Sequence, residues 1–168
     1  MQKKPVILIN GTGGCGKDSF IEFCNELVPC YNVSTVDRVK EAAQLLGWDG
    51  AKTDRDRKFL SDIKSLSVLY SDHPYCYITE QIEWFQQDTF HKLMFFHSRE
   101  PVEIKRFEKL GCITLLVLND NVEIIKSNAS DGNVLDFPYE YFINNSGSLE
   151  ELRDKAHDFV SKILRAES

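Results

Sequence analysis

Val6-Ile7-Leu8-Ile9-Asn10-Gly11-Thr12-Gly13-Gly14-Cys15-Gly16-Lys17-Asp18-Ser19 is the stretch on which the reading of this 168-residue chain turns. It opens as a short apolar run, Pro5 to Asn10, whose β-branched content predicts a strand buried on both faces. It closes at the start of a helix. From Lys17 to Leu27, the residues Phe20, Phe23, Cys24 and Leu27 recur at helical spacing, and Pro29 ends the run. Between strand and helix, Gly11 to Lys17 fits G-x-x-x-x-G-K. Glycines let the backbone curl until several N–H groups converge on one phosphate. The helix that follows adds its positive N-terminal end. A lysine at the end of the loop reaches the β and γ phosphates and offsets their charge. Gly11, Thr12, Gly13, Gly14, Cys15, Gly16 and Lys17 are therefore expected to bind ATP or GTP, with the base left open.

Outward from this stretch, strands alternate with helices. Tyr31 to Val36 reads as a second strand, after which Asp37 is expected to cap a helix with the stripe Val39, Ala42, Ala43 and Leu46, stopped by Gly47. Phe59, Ile63, Leu66 and Tyr70 mark a further helix, and Tyr75, Ile78, Ile82 and Phe85 another. Leu93 to His97 and Ile113 to Leu118 read as strands, with a helix begun by Pro101 between them. Residues 119–138 are polar and irregular, as functional lids often are. Tyr139 to Ile143 is the last expected strand. Ser148 and Glu151 then form a capping box for a helix carrying Leu149, Leu152, Ala156, Phe159 and Ile163. This alternation predicts one domain, a three-layer α/β fold around a mainly parallel sheet.

The totals exclude several functions. A formal net charge of -6 and the lack of a basic stripe with interleaved aromatics argue against nucleic acid and anionic membranes. No apolar run approaches a membrane span or a signal peptide. The five cysteines, at 15, 24, 30, 76 and 112, form no C-x-x-C and read as reduced thiols. A cytoplasmic protein is expected. His73, His91, His97 and His157 make no metal-ligand pattern, and His97 reads as a packed strand residue. Cys15 sits where a helix N-terminus lowers a thiol pKa, but bound phosphate would cover it, so it reads as a loop filler.

The spaced residues Gly11, Gly14, Gly16, Lys17 and Ser19 resemble the nucleoside and nucleotide kinase branch of P-loop proteins. The tetrapeptide Gly16-Lys17-Asp18-Ser19 is similar to that of bacteriophage deoxynucleoside monophosphate kinases and animal-type phosphomevalonate kinases. Adenylate kinase and dephospho-CoA kinase resemble it more distantly. The resemblance implies a five-stranded parallel sheet, ATP with Mg2+, an acceptor-binding helical region at about 37–91, and a lid at about 119–138. Asp18 replaces the usual Ser/Thr. It either holds Mg2+, directly or through water, or is simply a favourable acid in the first helical turn. Ser19 is placed to donate to the α-phosphate.

The resemblance puts Asp37 and Arg38 where the acceptor phosphate begins to bind. The run Lys52 to Lys58 lies in the acceptor region and otherwise reads as a solvated, mixed-charge helix start. Within it Arg55, one turn before Phe59, is expected on the inward stripe, where an arginine suits a phosphate. Arg99 and Glu100 follow the strand Leu93 to His97, and ligands of such sheets sit beyond the carboxyl ends of strands. Arg99 is expected to hold a phosphate and act in catalysis beside Lys17. Glu100 either orders the magnesium shell or caps the helix before Pro101. Related kinases place the donor base near the turn Asn144-Asn145-Ser146-Gly147.

The chain departs from the family in its lid. Between Gly111 and Gly147 it has no arginine, and its one basic residue there is Lys126. Arg99, Arg106 or a second subunit would have to neutralise the transferring phosphoryl group. Two functions follow. One is a kinase acting on a small phosphorylated acceptor, foremost a nucleoside monophosphate and less so phosphomevalonate. The other is a nucleotide-binding module with little turnover. The oligomeric state stays open.

Overall fold

The computed structural model describes residues 3–122 and 134–166. Five strands, β1 (Val6–Asn10), β2 (Cys30–Ser34), β3 (Leu93–His97), β4 (Ile113–Leu118) and β5 (Tyr141–Asn144), form one sheet in the order β2-β3-β1-β4-β5. Every pairing is parallel, with Leu8 opposite Phe96 on one side and Thr114 on the other. β1 lies at the centre with all five residues buried: four are apolar, and the fifth is Asn10 at its carboxyl end.

Among the described residues, six helices connect and cover the strands: α1 (Lys17–Leu27), α2 (Asp37–Leu45), α3 (Asp54–Ser71), α4 (His73–Gln87), α5 (Pro101–Glu108) and α6 (Leu149–Ala166). Successive residues of a strand point to opposite faces. Ile7, Ile9 and Phe95 therefore meet Phe20 and Cys24 of α1 and Phe159 and Ile163 of α6. Val6, Leu8 and Phe96 meet Ile78 and Phe85 of α4 and Ile104 and Phe107 of α5. These are the three layers that the alternation of elements predicts.

Four details correct the sequence reading. β2 ends at Ser34, and residues 35 and 36 form a turn. Asp37 is the first residue of α2, not its cap: its Oδ2 accepts from the backbone N–H of Ser34 at 2.7 Å, so it closes the preceding turn backwards. β5 begins two residues later than expected. The stripe Phe59, Ile63, Leu66, Tyr70 is not an inward face. α3 buries no residue, and Tyr70 is 90% exposed. What starts α3 is a reciprocal cap, Thr53 accepting from Asp56 N–H while the Asp56 carboxylate accepts from Thr53. Of the expected lid, residues 119–122 and 134–138 are described, and the remainder, with Lys126, lies outside the described residues.

Candidate active site

The loop between β1 and α1 is shaped by what surrounds it. Gly16 has φ 99, and a Cβ there would collide with the Asn145 carboxamide. Asn145 Nδ2 donates to the Cys15 carbonyl at 2.9 Å, and its own N–H donates to Leu118 O at 2.6 Å. The turn after β5 thus clamps the loop's end to β4. At the other end, a Cβ on Gly11 would collide with the Val117 carbonyl oxygen. Thr12 and Cys15 are buried, so these two residues anchor the loop while Gly13 and Gly14 face outward.

Lys17 lies across the loop. Its Nζ donates to Gly11 O at 2.6 Å and Thr12 O at 2.9 Å, and stands 3.7 Å from Cys15 Sγ. Burial lowers its pKa from the ordinary lysine value, the Cys15 side chain opposes this, and Arg99 adds to it. Arg99 lines the same cleft as Lys17.

One cleft of about 1210 Å³ opens at the carboxyl ends of the strands. Gly13, Gly14, Lys17 and Asp18 line it together with Asp37, Arg99 and Glu100. The sequence analysis named all of these. Ser19 is half-buried in the first turn of α1 and does not line the cleft. Arg38 and Arg55 do not line it either. Arg38 is about 100° around the helix from Asp37. It is turned to solvent, pairs with Glu41 at 2.6 Å and sits over the Tyr77 ring. Arg55 is exposed because α3 presents a different face than its apolar spacing suggested: Leu60, Lys64 and Val68 line the cleft.

Besides Lys17 and Arg99, the cations that line the cleft are Lys40, Lys52, Lys64 and Arg106. Lys40 was open to discovery, since it lies three residues after Asp37 on the same face of a predicted helix. Lys64 was not, because its orientation follows from the packing of α3. Lys64 Nζ pairs with Glu103 Oε1 at 3.1 Å, and Ser98 Oγ donates to Glu103 Oε2 at 2.7 Å. Arg106 makes a two-pronged pair with Asp72, at 3.1 and 2.6 Å, and stacks 3.5 Å over the Tyr75 ring. Both bridges tie the α3–α4 hairpin to α5. Arg106 is thereby committed to structure, and Arg99 lines the cleft with the loop lysine.

His97, at the carboxyl end of β3, also lines the cleft, with Nε2 3.1 Å from Asn32 Oδ1. Burial lowers its pKa to about 4, Lys17, Arg99 and Lys40 push the same way, and Asp18 opposes them. The imidazole is neutral at pH 7. Asp18 is exposed on the first turn of α1, and Glu100 is the N-cap residue of α5 without a capping side-chain bond. Among the described residues, no three His, Cys, Asp or Glu side chains gather into a metal cage. Also among the described residues, no helix is long and apolar enough to cross a membrane.

The sequence matches no family model and no curated protein. Among solved structures, the fold is similar to that of dephospho-CoA kinase from Campylobacter jejuni, with a TM-score of 0.59 and 18% identity over 96% of this chain and 98% of that one. It is also similar to shikimate kinase from Acinetobacter baumannii in complex with shikimate, with a TM-score of 0.52 and 12% identity over 98% of this chain and 96% of that one. At this identity the likeness is one of fold: a five-stranded, wholly parallel α/β sheet of the kind these P-loop kinases share.

Proposed function

We propose that this protein is an ATP-dependent kinase that transfers the γ-phosphoryl group to a small phosphorylated acceptor, with a nucleoside monophosphate as the leading candidate. One observation carries the reading. One cleft is lined both by the glycine loop with Lys17 and by a second set of cations, Lys40, Lys52 and Arg99, on different elements. A donor phosphate at one end and an anionic acceptor at the other would face each other across it. The likeness in fold to two kinases of small molecules supports the same reading.

Catalysis would be mostly positioning and charge stabilisation. Loop N–H groups and the α1 N-terminus hold the donor phosphates. Lys17 exchanges its two carbonyl partners for β and γ oxygens. Arg99, lining the same cleft as Lys17, neutralises charge on the group in transfer and takes the place of the missing lid arginine. Asp37 and Lys40, on one face of α2, orient the acceptor. Asp18 and Glu100 fit Mg2+, which keeps most of its water and phosphate ligands and needs only one or two carboxylates. If held there, it would supply positive charge to offset that of the phosphates.

The test is ADP release from Mg-ATP across a panel of ribo- and deoxynucleoside monophosphates, phosphomevalonate, dephospho-CoA and shikimate. One acceptor is expected to stimulate release, and Lys17→Ala to reduce it by a factor on the order of 1000 or more. Full activity in Lys17→Ala sinks the assignment. Nucleotide binding without stimulation by any acceptor favours a binding module.

A further inference from the structure

Asn10, the last residue of β1, is 1% exposed and uses both ends of its carboxamide. Its Oδ1 accepts from the Gly11 N–H at 2.8 Å, and its Nδ2 donates to the Tyr139 hydroxyl oxygen at 2.7 Å. Gly11 in turn accepts from Lys17 Nζ through its carbonyl. A line of hydrogen bonds therefore runs from Tyr139 through Asn10 and Gly11 to the loop lysine. Tyr139 lies two residues before β5, on the chain returning from the candidate lid. From these contacts we infer that the Tyr139 hydroxyl is a positioning group for the glycine loop, acting through Asn10 on the Gly11 backbone N–H.

The geometry separates this role from simple packing. Tyr139 is held in place without its hydroxyl. The neighbouring Glu140 N–H donates to Thr114 Oγ1 at 2.9 Å, Tyr139 N–H donates to Phe137 O at 3.1 Å, and the ring packs edge-on against Phe137 at 5.2 Å. The hydroxyl's contact among the described residues is Asn10. An asparagine side chain held at one end can rotate, but one held at both ends cannot, and a buried carboxamide pays for any unpaired end. With Tyr139 in place, the Gly11 N–H is turned towards Asn10 and its carbonyl towards Lys17. That sets the starting position of the lysine and the entry of the loop. Burial raises the Tyr139 pKa, so the group remains a neutral hydroxyl at physiological pH.

The inference rests on the nucleotide-binding part of the proposed function. The test is calorimetric titration of the full chain with Mg-ATP, for the unsubstituted protein, Tyr139→Phe, Asn10→Ala and the double variant. Tyr139→Phe is expected to weaken ATP binding between about threefold and tenfold. The double variant is expected to bind no more weakly than Asn10→Ala alone, because Tyr139 acts through Asn10. A tyrosine that only supports packing would cost the same factor in both backgrounds, and that result overturns the inference. So does unchanged affinity in Tyr139→Phe. If Tyr139→Phe does not fold, Asn10→Ala decides, since unchanged ATP affinity there breaks the relay. A protein that binds ATP but phosphorylates no acceptor overturns the proposed reaction and leaves this inference standing. One that binds no ATP overturns both.

Discussion

The two ends of the cleft are built differently. The phosphate loop is pinned on all sides: Asn145 clamps Cys15, Asn10 holds Gly11, Val117 crowds Gly11, and Thr12 and Cys15 are buried. The acceptor wall is held at few points. α3 buries no residue, and Leu66, Leu69 and Tyr70 are exposed. Its ties to the body include two ion pairs, Lys64–Glu103 and Arg106–Asp72. In the proposed kinase the loop would present fixed N–H groups to a constant donor, and rigidity there would lower the cost of organising charge. The acceptor side would admit and enclose its ligand, and elements with few buried contacts are those that open at low free energy.

This contrast can be broken or sharpened by substitution. The largest effect is expected at Arg99, which lines the cleft with Lys17. Arg99→Ala should lower turnover on the order of 100-fold with ATP affinity changed far less. Equal losses in kcat and ATP affinity would instead make Arg99 a donor ligand. Gly11→Ala should destabilise the fold by about 2–3 kcal/mol in denaturant unfolding, because the clashing partner is backbone. A stability within 0.5 kcal/mol of the unsubstituted protein, roughly the spread of ordinary surface changes, would show the loop to be loose.

His97 tests the shared floor of the cleft by pH. Its folded pKa of about 4 lies below the ordinary 6.5, so below about pH 6.5 the unfolded chain takes up a proton that the folded one does not. The contribution is present above that pH and is lost as pH falls towards 4, by an amount on the order of 2–3 kcal/mol. His97→Asn should flatten this part of a stability–pH profile, and an unchanged slope would refute the shift. The smallest effect is expected at Arg55, exposed on α3. Arg55→Ala should change acceptor KM by no more than about twofold. A tenfold rise would mean that α3 turns this face inward when the acceptor binds.

Much of the molecule was legible in advance. The strand–loop–helix unit is continuous in sequence, so its fold could be read directly, and the parallel sheet followed from the alternation of elements. Lys17, Asp18, Asp37, Arg99 and Glu100 share the cleft because loops at the carboxyl ends of parallel strands converge. The acceptor wall was less legible. Arg55 was placed inward by the spacing of Phe59, Ile63, Leu66 and Tyr70, but apolar spacing reports a buried face only where a helix is buried. Arg38 failed for a simpler reason. It adjoins Asp37 in sequence, yet neighbours on a helix point in different directions.

The sequence by itself determined the glycine loop between strand and helix, the fold class and the order of elements, because each depends on local patterns within and between neighbouring elements. Only the tertiary structure decided which cations face the cleft, that Arg106 is committed to Asp72 and Tyr75, and that Tyr139 reaches Asn10. Those pairings join residues far apart in the chain. They depend on how helices rotate against the sheet, which is set by the packing of the whole core rather than by any local pattern.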